Sequence, residues 1–102
     1  MEAIFITQLI YIKEGMEDIF HQFEDKAIPI IGKYNGQLLL RSRPNKKEWI
    51  ESNIDHPYEI HLVQFASNED FELFLKDEER QQFLHMKEAS IQSVVLIKGH
   101  KM

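Results

Sequence analysis

"YNGQLLLRSRP", residues 34–44, decides the fold, because it joins the end of one kind of periodicity to the start of another. Asn35-Gly36 stops a helix, one of the pair being able to take the left-handed cap conformation. Gln37–Arg43 is a strand. Arg41 and Arg43 lie two residues apart, so on a strand they share a face, and Pro44 ends the run. A polar connection, residues 44–55, holds the sole tryptophan, Trp49. A further strand follows it, with no helix between.

Reading outward supplies the rest. Before Asn35, the residues Met16, Ile19, Phe20, Phe23, Ala27, Ile30, Ile31 and Tyr34 fall within an arc of roughly 120° on a helix, and Pro29 predicts a kink or restart. Before that helix, Ile4–Ile12 is a strand with apolar side chains on both faces. Phe5, Leu9 and Tyr11 lie on one side, and Ile4, Ile6, Ile10 and Ile12 on the other. After the loop, Tyr58–Ala66 is the third strand. Ser67 starts a second helix, with Asp70 in capping-box spacing and Phe71, Phe74 and Leu75 as its buried stripe. Its phase breaks near Lys76-Asp77, and a further helical stretch carries Phe83 and Met86. Ser93–Ile97 is the last strand, closed by Gly99. The order β-α-β-β-α-β makes this an α+β chain of the ferredoxin-like pattern. That pattern predicts a four-stranded antiparallel sheet, strands one and three central, two helices on one face.

The chain of 102 residues is one domain, 1–102, with a thin core. It has no cysteine, which excludes disulfides, thiolate metal sites and cysteine nucleophiles. A net charge of −5 argues against nucleic-acid binding, because the one basic cluster is Arg41, Arg43, Lys46 and Lys47. No apolar run reaches the ~20 residues of a membrane span. The opening "MEAIFITQLIYI" lacks a signal-peptide pattern. A cytoplasmic protein with no membrane partner is the expectation. Because the first strand is apolar on both faces and two helices cover only one, the other sheet face calls for a second copy. A homodimer with sheet against sheet supplies it, and a cleft forms between the sheets.

The chain resembles the dimeric α+β barrel superfamily, and within it the small bacterial domain of unknown function 1330 family. "YNGQLLLR", "VQFASNEDFELFLKDEER" and "VVLIKG" carry the likeness, over almost the whole chain. The family often has Gly-Gly where this chain has Asn35-Gly36. The resemblance implies a dimer with a cleft and no established reaction. More distant members of the superfamily include antibiotic-biosynthesis-type monooxygenases, haem-degrading enzymes and ligand-sensing domains of transcription regulators.

Four residues are candidates for ligand binding, each with a structural alternative. Arg41 matches the family's strand-end arginine and suits a carboxylate or phosphate; Arg41 and Arg43 also fit the charged, proline-ended edge strand that discourages aggregation. His61 shares a strand face with Glu59, Val63 and Phe65, either as a hydrogen-bonded core histidine or as a general base in the cleft. Gln8, on the first strand, poses the same choice. Trp49 is a lid over the cleft or an anchor on a partner subunit. Glu17, His21 and Asp25 share a helix stripe opposite Phe20 and Phe23, which reads as exposed charge pairing. No histidine spacing signals a metal or haem, so no cofactor is expected. Three functions compete: small-molecule binding, a cofactor-independent monooxygenase-like enzyme acting in the same cleft, and a non-catalytic interaction module.

Overall fold

A computed structural model describes residues 2–102. The strands are β1 (Ile4–Ile12), β2 (Gly36–Ser42), β3 (Glu59–Phe65) and β4 (Ile91–Gly99). They form one antiparallel sheet in the order β2-β3-β1-β4, with β1 and β3 central as the sequence predicts. The helical layer holds α1 (Glu17–Ala27), a 3-10 segment at Ile28–Tyr34, α2 (Asn68–Leu75), α3 (Glu78–Gln81) and α4 (Leu84–Ser90). The second helix of the predicted pattern is therefore three short ones.

Each break has a local cause. Pro29 lies in the first turn of the 3-10 segment, where its missing N–H costs little. Asn35 takes the left-handed conformation, φ 57°, and its N–H closes on the Ile31 carbonyl. Gly36 is required for close approach, since a Cβ there would lie 2.5 Å from the Ile31 side chain and 2.7 Å from Phe65. Ser67 caps α2 by accepting from the Asp70 N–H at 3.1 Å. Asp77 stops α2 and caps α3, accepting from the Arg80 N–H at 2.8 Å and the Tyr34 hydroxyl at 2.5 Å.

The pleat sorts the sheet into two faces. Ile4, Ile6 and Ile10 of β1 and Glu59, His61, Val63 and Phe65 of β3 point to the helices and are buried. Phe20, Phe23, Ala27, Ile30, Ile31 and Phe71 complete that core. The register pairs Leu9 with Ile60 and Val95, and Thr7 with Leu62 and Ile97, on the opposite face. Among the described residues no helix covers that face. Leu40 joins it beside Leu62, and Leu40, Val95 and Ile97 are exposed.

β2 carries an irregularity between Leu38 and Leu40. Leu38 pairs with Val63, Leu40 with Leu62 and Arg41 with His61, so Leu39 is the extra residue of a bulge. The shift puts Leu38 and Arg41 on the helix side of the same strand, three positions apart.

Candidate functional site

A charged cluster lies at the end of β3, between sheet and helix. Glu59 is completely buried, at the first position of β3. Arg41 Nε donates to its Oε2 at 3.1 Å and Arg43 Nε to its Oε1 at 2.6 Å. The shared strand face predicted for Arg41 and Arg43 is thus present, and both arginines use it on one carboxylate. Arg41 also reaches Glu24 of α1, its Nη2 2.5 Å from Oε1. His61, two residues along β3, hydrogen-bonds through Nε2 to Glu59, and the same nitrogen stands 2.8 Å from Glu24 Oε2. One hydrogen on Nε2 serves one good bond, and Glu24 Oε2 has no hydrogen-bond partner although it is buried.

The environment separates the two carboxyls. Burial raises Glu24, and so does the nearby Glu59; the close approach of His61 offsets only part, so its pKa stays above the ordinary 4.5. Burial also opposes ionisation of Glu59, but hydrogen bonds from His61, Glu24, Arg41 and Arg43 outweigh it and hold the group far below the usual carboxylate range. For His61, burial favours the neutral ring, and the two carboxyls overcome it, moving the imidazole up from 6.5 to about 8. Two neighbouring carboxyls whose surroundings push them in opposite directions are the arrangement by which such groups take acid and base roles.

A cavity of about 330 Å³ adjoins the cluster, between the sheet and the helices. Phe20, Phe23, Phe65, Phe71 and Phe74 give it aromatic walls, and Ile6, Ile10 and Val63 its sheet floor. Five polar side chains also line it: Gln8, Glu24, His61, Arg80 and Lys87. Glu59 is not among them. Glu24 and His61, both shifted upward, therefore line the cavity, and Glu59 stands behind with its arginines.

Of the four sequence-predicted ligand residues, the structure brings Gln8 and His61 to this cavity and sets Arg41 beside it, tied to Glu24. All three are on the helix side of the sheet. The expected cleft between two sheets lies on the other face, so these three residues do not belong to it. His61 is both hydrogen-bonded core histidine and cavity wall. Trp49 is apart from them, stacked on His56 within the connecting loop with ring centroids 4.7 Å apart. Arg43 adds a contact with the Tyr58 ring, 5.2 Å to its centroid. His21 also departs from expectation: it is half-buried and bonded to the Tyr58 hydroxyl at 2.7 Å, because Tyr58, at the entry to β3, lies over that stripe of α1.

Glu24, Arg80 and Lys87 were not among the candidates. Glu24 nevertheless interrupts the apolar arc at helical spacing from Phe20 and Ala27, which is the signal for a buried carboxyl. Glu24, Glu59 and His61 offer three ligand atoms within 4.8 Å of one another. Arg41 and Arg43 already neutralise these carboxylates, so a metal ion would have to displace a guanidinium, and the donor set suits proton sharing better than a cation.

No family model matches the chain, the domain of unknown function 1330 family included, and no curated protein matches it. Solved structures do. A protein of unknown function from Rhodopseudomonas palustris superposes with a TM-score of 0.84 at 11% identity, over 99% of this chain and 83% of that one. A DABB-family protein from Mesorhizobium loti, described as having a ferredoxin-like fold, gives 0.72 at 13% identity, over 100% and 99%. A protein from Bacteroides fragilis described as dimeric, of unknown function and ferredoxin-like, gives 0.71 at 7% identity, over 97% and 96%. The fold is ferredoxin-like. NIPSNAP-like proteins also match, and at these identities the likeness extends to the fold alone.

Proposed function

We propose that the protein binds a compact, mostly apolar organic molecule in the cavity between its sheet and helices. The observation that carries this is the pairing of a 330 Å³ aromatic-walled cavity with two buried protonatable groups, Glu24 and His61, facing into it. The size sits at the lower end of the ~300–1,000 Å³ range of small-molecule pockets, which suits one or two rings. Native mass spectrometry of the protein as purified, followed by titration with 2-naphthol, tests the reading. Binding of one molecule per chain, lost on Val63→Trp, is expected. Absence of both a retained molecule and any naphthol binding rejects it.

A second reading, a cofactor-independent enzyme of the monooxygenase-like kind, is favoured by the split between Glu24 and Glu59. Such chemistry begins with proton removal from an acidic substrate, and Glu24 and His61 are placed to exchange that proton. Exchange of the α-protons of 2-tetralone in heavy water, followed by NMR, separates the two. Acceleration by wild type that Glu24→Gln removes supports catalysis; no acceleration leaves a binding protein.

The open sheet face is proposed as the contact between two copies. Leu9, Leu40, Ile60, Leu62, Val95 and Ile97 make it apolar, Leu40, Val95 and Ile97 are exposed, and a neighbour of the same fold is described as dimeric. No helix among the described residues is long and apolar enough to cross a membrane.

A further inference from the structure

Two cations, Arg80 and Lys87, line the cavity. Arg80 is 8% exposed, and its Nε is buried with no hydrogen-bond partner. Its Nη1 donates to the Leu75 carbonyl at 3.3 Å, but Gln81 Nε2 already donates to that carbonyl at 2.9 Å. Of the three carboxylates that immediately precede Arg80, Glu79 pairs with Lys33, and Asp77 attracts the guanidinium through space without a salt bridge. The Asp77 oxygens are taken by the Tyr34 hydroxyl and the Arg80 backbone N–H. Lys87, one helix on, is half-buried and also lines the cavity. Among the described residues neither cation forms an ion pair. Burial, and in second place the charge of Arg80, lower the Lys87 pKa, and the charge of Glu88 offsets only part of this.

Buried charges are ordinarily paired, and an unpaired one is costly. Two like charges at one wall raise that cost. The contacts that Arg80 makes within the fold are few: a carbonyl of Leu75 that has a second donor, and the Phe74 ring, 5.0 Å from the guanidinium. With Nη1 occupied and Nε buried, Nη2 is the remaining nitrogen of a guanidinium that lines the cavity, and a carboxylate meets such a group through charge-assisted hydrogen bonds. We infer that Arg80 and Lys87 are the anion subsite of the cavity, and that its occupant is an organic acid whose carboxylate meets them while its apolar body lies against Phe71, Phe74 and Ile6. The inference rests on the cavity being a binding site and adds the chemical class of what it holds.

A matched pair of probes tests it: 2-naphthoate and the neutral 2-naphthamide, titrated by calorimetry into wild type, Lys87→Met, Arg80→Gln and Arg80→Lys. Wild type is expected to bind the acid at least tenfold more tightly than the amide. Lys87→Met and Arg80→Gln should bring that ratio toward one and leave amide affinity within about twofold, with Arg80→Lys keeping part of the preference. Lys87 is half-buried, so its variant folds even where Arg80→Gln does not. Equal affinities of wild type for acid and amide, or a ratio that survives in Lys87→Met and every folded Arg80 variant, overturn the anion subsite and leave the cavity reading intact. If neither probe binds wild type, the cavity reading itself fails and the subsite falls with it.

Discussion

Arg41, on an edge strand, meets Glu24, on the first helix, at 2.5 Å, and so pins the sheet edge to the helical layer through a buried carboxyl. Its Nε is at the same time bound to Glu59. Arg43 binds Glu59 alone, and its side chain is more exposed than that of Arg41. Removing Arg41 leaves two buried carboxyls short of a cation, whereas removing Arg43 leaves Glu59 with Arg41 and His61. Arg41→Ala should therefore cost about 2–3 kcal/mol and Arg43→Ala about 1 kcal/mol. Urea unfolding at pH 7 measures both; equal losses would show that the Glu24 contact contributes nothing.

The histidine gives the protein a pH signature. An imidazole raised from 6.5 to about 8 in the folded state contributes stability that is complete below pH 6.5 and lost as the pH climbs through 8. The difference corresponds to about 2 kcal/mol at most. Glu59 acts oppositely: being depressed, it supports the fold above its unfolded value of 4.5 and loses that support as the pH falls below it. Urea unfolding at pH 6 and pH 8.5 should show wild type losing about 2 kcal/mol more than His61→Gln does over the same interval. An identical pH dependence in the two would place the proton elsewhere.

The two faces of β1 make separable predictions. Ile6 is 1% exposed in the core under the helices, so Ile6→Asp buries an unpaired carboxylate and should abolish folding. Leu9 points to the open face, and Leu9→Asp should keep the circular-dichroism spectrum while converting a 24 kDa dimer, twice the 12.2 kDa chain, to a monomer by light scattering. A wild-type monomer at micromolar concentration would remove the proposed dimer.

Much of this architecture was legible because each element carries its own punctuation. Pro29, Asn35, Ser67 and Asp77 mark helix boundaries by backbone chemistry that needs no tertiary contact. The strand order followed from two βαβ units of like pattern. What the sequence could not show was the pleat parity of β2, because a bulge at Leu39 reverses which residues share a face, and nothing in "QLLLR" marks it. That parity places Arg41 with the helices rather than in a cleft between sheets. Glu24 was legible in principle, as a carboxyl inside an apolar arc. Arg80 and Lys87 were harder, since the short helices α3 and α4 break the spacing that would have put them on one wall.

The cavity itself yields the last prediction. Ala27 lines it from α1 and is almost fully buried. An apolar space left open forfeits dispersion contacts along its walls, so a side chain that extends into it without strain should stabilise the chain. Ala27→Leu adds three carbons at a helical position where leucine is well tolerated. Cavity filling of this kind is worth about 0.5–2 kcal/mol, and it takes volume from any ligand. The expected result is a higher melting temperature together with weaker binding of 2-naphthol. A gain in stability with unchanged binding would place the naphthol outside this cavity. A loss of about 1–3 kcal/mol would mean that the space beside Ala27 is already filled by its neighbours.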